Sequence, residues 1–160
     1  MRALIQRVKQ ASVSVGEETV GSIGSGLVVF IGIRKGDTEQ DAEYLVKKTV
    51  NFRIFPDTEE RFSYSALEIE AQLLVVSQFT LYADTSKGRR PSFISAAPAE
   101  EARSLFQMTL VLFRNSGLKV ESGRFQEHMM VEIHNDGPVT LMLDSQNQHP
   151  PQRSSIPTQA

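Results

Sequence analysis

The sequence contains no cysteine. That excludes disulfides, thiolate nucleophiles and Cys-ligated metal sites together, and it fits a reducing compartment. No apolar run approaches the roughly 20 residues that a membrane span needs. The opening stretch MRALIQRVKQ carries Arg2, Arg7 and Lys9 and has no long apolar core, so it does not read as a secretory signal. Excess positive charge is also missing. Lys and Arg number 17 against 19 Asp and Glu, a formal net charge of −2. Proteins that grip long nucleic acid through phosphate contacts are usually basic. The balance therefore argues against a broad DNA or RNA surface and leaves room for recognition of one nucleic-acid end. The usual catalytic signatures are missing too. There is no GxxxxGK[ST] and no GxGxxG between a strand and a helix, and VVSQF lacks the flanking glycines of a nucleophile elbow. His128, His134 and His149 show no HExxH spacing and read as surface histidines. No metal and no cofactor is expected.

What remains is an ordinary globular composition, 40% hydrophobic and 22% charged over 160 residues, enough for one domain with a real core. ASVSV alternates, with Ala11, Val13 and Val15 on one face, as a half-buried strand does. LVVFIGI is apolar on both faces and reads as a central strand. GDTEQDAEYLVKKTVNF changes to helical period. Asp37 is the expected cap with Gln40 as its capping-box partner, and Ala42, Leu45, Val46, Thr49 and Val50 form the stripe. QLLVVSQFTL reads as a second buried strand, Leu73 to Phe79. APAEEARSLFQMTLVLFRNSG reads as a second helix, with Pro98 at its first position and Gly117 as its C-terminal cap. HNDGPVTL lies between MMVEI and LML and reads as the turn of a closing hairpin. Many strands and only two helices predict an α+β domain with a mainly antiparallel sheet. The proline-, Gln- and Ser-rich stretch from residue 145 to 160 reads as a flexible tail.

Three features stand out. SQFTL places Ser77, Gln78 and Thr80 at the end of a buried apolar strand. KGRR places Lys87, Arg89 and Arg90 at the tip of a polar loop, either a solubilising surface or a phosphate contact. Arg7 is a charge inside an apolar strand, which either snorkels or pairs with a group at the sheet end.

SQFTL at 77–81 together with NDGPVT at 135–140 resembles the two signature motifs of the D-aminoacyl-tRNA deacylases. The resemblance continues in LIQRV at 4–8, ADTSKGRRPSF at 83–93 and SGRF at 122–125, and it spans residues 1–144. It implies an α+β fold with a barrel-like, mainly antiparallel sheet, two helices and a homodimeric state. It implies a cytoplasmic hydrolase that cleaves the ester between a D-amino acid, or glycine, and tRNA. The partners are then the 3′ acceptor end of aminoacylated tRNA and a second subunit, with no membrane and no DNA. By the same resemblance, Gly137–Pro138 is a cis peptide that reaches into the partner's site and excludes L-side chains through its main chain. Arg7 holds that loop. Ser77, Gln78 and Phe79 bind and polarise the ester, and Thr80 orients substrate rather than attacking it. The terminal ribose 2′-OH assists, and Phe125 and Met129 contact the terminal adenine. Lys87, Arg89 and Arg90 are candidates for holding the acceptor end. The chain departs from the family where small residues usually precede the methionine: here Gln126, Glu127 and His128 stand. Two other readings are a deacylase for tRNA mischarged with L-alanine and a non-catalytic tRNA-binding module. The L-alanine group carries proline and alanine where this chain has Ser77 and Phe79.

Overall fold

One strand organises the chain. β1 (Arg2–Val15) buries Ala3, Ile5, Ala11 and Val13 at alternating positions, the period of a pleated strand. Its first half pairs antiparallel with β3 (Gly26–Gly32), and its second half pairs with β2 (Glu18–Ile23). The other edge of β1 pairs along nearly its whole length with the last strand. β3 then pairs in parallel with β6 (Gln72–Ser77), and β6 in parallel with β7 (Val120–Ser122). β4 (Phe55–Pro56) and β5 (Phe62–Tyr64) form a separate two-stranded ribbon. The six-stranded sheet is thus mixed, with its parallel pairings at the β3–β6–β7 side, and it curls towards a barrel because β2 folds over to contact β6 and β7. This computed structural model describes residues 1–148.

Two apolar clusters lie on opposite faces of β3 and β6. Leu27, Val29, Leu73 and Val75 face the helices, whereas Val28, Leu74 and Val76 face Val8, Val13 and Ile23. That is why LVVFIGI and the LLVV of residues 73–76 are apolar on both faces: both faces are covered.

α1 (Glu39–Asn51) buries the stripe that its period predicts, Ala42, Leu45, Val46, Thr49 and Val50. Its cap differs from the sequence expectation. Thr38 is the N-cap, and the Asp41 carboxylate accepts from the Thr38 N–H at 2.8 Å and from its hydroxyl at 3.1 Å. Asp37 is used elsewhere. It accepts from the Arg34 N–H at 2.6 Å and pairs at 2.8 Å with the buried α-amino group of Met1. α2 (Ala99–Arg114) starts one residue later than expected, with Pro98 as its cap, and it buries Leu105, Phe106, Thr109, Leu110 and Phe113. The cap at its other end is Asn115 rather than Gly117. β6 also ends earlier than expected, at Ser77, and Phe79–Tyr82 is a single 3-10 turn.

The largest correction concerns HNDGPVTL. It is not a hairpin turn. β8 (Met130–Asp144) is one long strand, and both of its apolar halves pair with β1 rather than with each other. Gln6 faces Thr140 and Val8 faces Asn135, so Arg7 alone stands opposite residues 136–139. The stretch is a wide bulge in an antiparallel pair, a device that throws residues out of the ladder. After β8, Ser145–Gln148 form a 3-10 turn with Ser145 buried and its hydroxyl 2.6 Å from the Met1 amine. Those four residues of the expected tail are part of the fold; residues 149–160 lie outside the described residues.

Candidate active site

Where β6 leaves the sheet, the chain opens a cleft of about 560 Å³. One wall comes from Ser77, Gln78 and Phe79, another from Ala96, Ala97, Ala99 and Ala102, and a third from residues 125–129 and Val131. The small side chains at the start of α2 are what leave the space. The Gln78 N–H still belongs to the sheet, donating to the Ile31 carbonyl at 2.8 Å. The next two N–H groups, of Phe79 and Thr80, begin the 3-10 turn and donate to no acceptor among the described residues. The opening donors of any helical turn lack internal partners for geometric reasons. Here Phe79 lines the cleft and Thr80, which does not line it, follows directly; N–H groups so placed can hold an oxygen that gains negative charge. The Gln78 side-chain amide donates to the Thr80 hydroxyl. Neither a carboxylate nor an imidazole hydrogen-bonds to that hydroxyl among the described residues, so nothing there activates it as a nucleophile.

Phe125 and Met129 both line the cleft. Phe125 packs on Phe106 of α2 with ring centroids 5.8 Å apart. Met129 lies over Gly123, where an added Cβ would sit 2.5 Å from its sulfur, so the glycine makes room for the methionine. Gln126, at φ +64, turns the chain between them. Sequence reasoning passed over Arg103. Its guanidinium lies 4.9 Å from the Phe125 ring centre and donates to Gln126 Oε1 at 2.7 Å, so it braces both residues. An arginine at a helix position carries no local signal for this, because its partners lie more than 20 residues away. His128, read as a surface residue, is exposed and also lines the cleft, as does Glu127.

Gly137, Pro138 and Arg7 sit apart from this cleft and close to one another; none of the three lines it. The Gly137–Pro138 bond is cis, and both residues are exposed. Arg7 is buried beneath them. Its Nε donates to the Asp136 carbonyl at 3.2 Å and lies 3.3 Å from the Asp136 carboxylate, and a second nitrogen donates to the Ile54 carbonyl at 2.6 Å. The Val139 N–H donates to Asn135 Oδ1 at 2.9 Å, closing the bulge on itself. Gly137 is at φ +131, and a Cβ there would meet Val139 Cγ2 at 2.7 Å. Only glycine fits that position. Lys87, Arg89 and Arg90 are exposed on the loop that follows the 3-10 turn.

The family model of D-Tyr-tRNA(Tyr) deacylase matches residues 4–144, which include both the cleft and the bulge. The chain belongs to this family. The D-aminoacyl-tRNA deacylase of Dehalococcoides mccartyi is 54% identical over 153 residues, covering 96% of this chain and 100% of the relative. The D-aminoacyl-tRNA deacylase of Thermotoga petrophila is 50% identical over 145 residues, covering 91% and 97%. Among solved structures, c-Myc DNA Unwinding Element Binding Protein matches at TM-score 0.85 and 39% identity, over 90% of this chain and 98% of that one. A probable eukaryotic D-amino acid tRNA deacylase shares the fold at TM-score 0.80 and 19% identity, over 89% and 97%. Family membership makes the chain a hydrolase with D-aminoacyl-tRNA deacylase activity, and aminoacylated tRNA its substrate. Among the described residues, no helix is long and apolar enough to cross a membrane.

Proposed function

We propose that the cleft hydrolyses the ester between a D-amino acid and the terminal ribose of tRNA, and that chirality is checked by main chain rather than by a side chain. The observation that carries this reading is the pair of unpartnered N–H groups at Phe79 and Thr80, beside a cleft walled by an aromatic ring and a thioether. The terminal adenine stacks against Phe125 and Met129, as unpaired bases do on aromatic and polarizable groups. Ser77, Gln78 and Phe79 hold the ester. Water adds to the carbonyl carbon, and the oxygen that becomes negative is met by donors already in place, a large term in catalysis of this kind. The ribose oxygen leaves with a proton, and the adjacent 2′-OH assists the water. Thr80 orients substrate.

The chirality filter is the Gly137–Pro138 segment of a second copy of the chain. Both residues are exposed and lie outside their own chain's cleft, and Arg7 holds the bulge from beneath. A wedge of main chain rejects an L-side chain by collision and makes no demand on side-chain identity, so many D-amino acids pass. Discrimination of this kind is a clash built against the wrong ligand. Glycine has nothing to collide and is hydrolysed as well. The enzyme then works as a homodimer in the cytoplasm, where aminoacylated tRNA circulates.

The test uses D-tyrosyl-tRNA and L-tyrosyl-tRNA, and a D-tyrosyl-tRNA ending in 2′-deoxyadenosine. Rapid deacylation of the first alone is expected. No activity on the D-ester would sink the reading. Equal rates on both isomers would remove the filter, and full activity on the 2′-deoxy substrate would remove the role of the hydroxyl.

A further inference from the structure

The loop between Asp84 and Ser92 plays no part in the chemistry described above, yet it is built with care. Asp84 and Ser92 exchange two backbone hydrogen bonds, at 2.8 and 2.9 Å, and close its neck. The Ser86 N–H donates to Asp84 Oδ1 at 2.9 Å. Residues 85–91 beyond that neck are all exposed. The loop springs from the catalytic turn: Phe79 of that turn packs edge-on against Phe93, just past the neck, with ring centroids 4.9 Å apart. Ala96 and Ala97, which follow, line the cleft. The loop is therefore footed on the rim of the site on both sides.

Its charge is out of keeping with the chain. The whole sequence is net −2, yet Lys87, Arg89 and Arg90 put three cations within four residues. None of the three has a carboxylate partner among the described residues, which is also true of Arg34, Arg103 and Arg114, but only here do three such cations cluster within four residues. A pinned loop of unpaired cations beside a cleft that receives one end of a polyanion is a phosphate-contacting surface, because phosphate oxygens are what Lys and Arg contact most often in nucleic acids.

We propose that the 84–92 loop is the docking surface for the phosphodiester backbone of the acceptor strand, with Lys87, Arg89 and Arg90 facing successive phosphates of the strand that leads to the terminal nucleotide. The proposal rests on the deacylase reading of the cleft and adds to it the residues that distinguish a tRNA from a short ester. Three phosphate contacts lose about 20- to 40-fold in affinity between 50 and 200 mM salt, through reuptake of counterions.

The test compares the intact enzyme with K87Q/R89Q/R90Q on two substrates, D-tyrosyl-tRNA and D-tyrosyl-adenosine, which has the same ester and adenine but no phosphate. The neck is untouched by the substitutions. With tRNA, KM is expected to rise at least tenfold at low salt with kcat held, and its salt dependence is expected to flatten. With D-tyrosyl-adenosine, both constants should match those of the intact enzyme, which also shows that the variant is folded. K87R/R89K/R90K, which keeps the charge, should keep the salt dependence. An unchanged KM and salt slope on tRNA would overturn the proposal. Equal losses on both substrates would overturn it too, since the loop would then act in the cleft. If the intact enzyme were inactive on both substrates, the reading of the cleft itself would fail instead.

Discussion

Thr80 is the residue on which a covalent mechanism would have to rest, and its surroundings do not support one. It is exposed, and its hydroxyl accepts from the Gln78 amide with no base beside it. Removing one such hydrogen bond costs about 1 kcal/mol, or roughly five- to tenfold in rate. Loss of a true nucleophile costs on the order of a million-fold. Thr80→Val is therefore expected to keep kcat/KM for D-tyrosyl-tRNA within about tenfold of the unsubstituted enzyme. A collapse towards the uncatalysed rate in a single-turnover assay would reinstate Thr80 as nucleophile. Arg7 illustrates what a sequence can reveal at this scale. A charge in an apolar strand signals a partner, but it does not say which. The partners are the Asp136 carbonyl and carboxylate and the Ile54 carbonyl, none of them near Arg7 in sequence.

At the scale of elements, the strands and helices were legible because their periods are set by backbone geometry. Their ends were less so. Thr38 and Asp37 are both good caps by type, and the pull of the Met1 amine on Asp37 decided between them. β8 differs from the expected hairpin for a related reason. Apolar run, turn residues, apolar run is the pattern of a hairpin, and it is equally the pattern of one bulged strand laid along a distant partner. The far end of β8 is tied down by Asp144, which takes a hydrogen bond from Arg2 Nε at 3.0 Å. Burial by itself would raise its carboxyl, but the hydrogen bonds from Arg2 and from the Gln146 N–H outweigh that and hold it below its ordinary 3.8. A carboxyl lowered by folding gives stability that is complete above its unfolded value and is lost as the pH falls through its folded value. Chemical denaturation is therefore expected to show Asp144→Asn less stable at neutral pH and flatter between about pH 4 and pH 2. Parallel acid limbs for the two proteins would show that Asp144 does not contribute.

The molecule as a whole carries an apolar row that its own chain leaves open. Met142 of β8 pairs with Leu4 of β1, which pairs with Phe30 of β3. Met142 is 52% exposed, and Leu4 and Phe30 are half-buried. A second copy seated there is the arrangement that the proposed cross-subunit filter calls for. Met142→Glu places a charge in that row. It is expected to give a folded monomer by sedimentation, with D-tyrosyl-tRNA deacylation lost and melting still cooperative. A fully active monomer would show that the Gly137–Pro138 segment of a partner is not needed.

By itself the sequence determined the classes of chemistry that are excluded, the two helical stripes, the two strands buried on both faces, and the motifs that place the chain in its family. These are local or compositional properties, written in residue type and spacing. Only the tertiary structure decided that NDGPV is a bulge opposite Arg7, that Arg103 braces Phe125 and Gln126, and that the turn beginning at Phe79 stands beside a cleft. Each of those depends on a partner more than 20 residues away or on the space that small side chains leave. Period and propensity do not encode either one; the packing of the whole chain does.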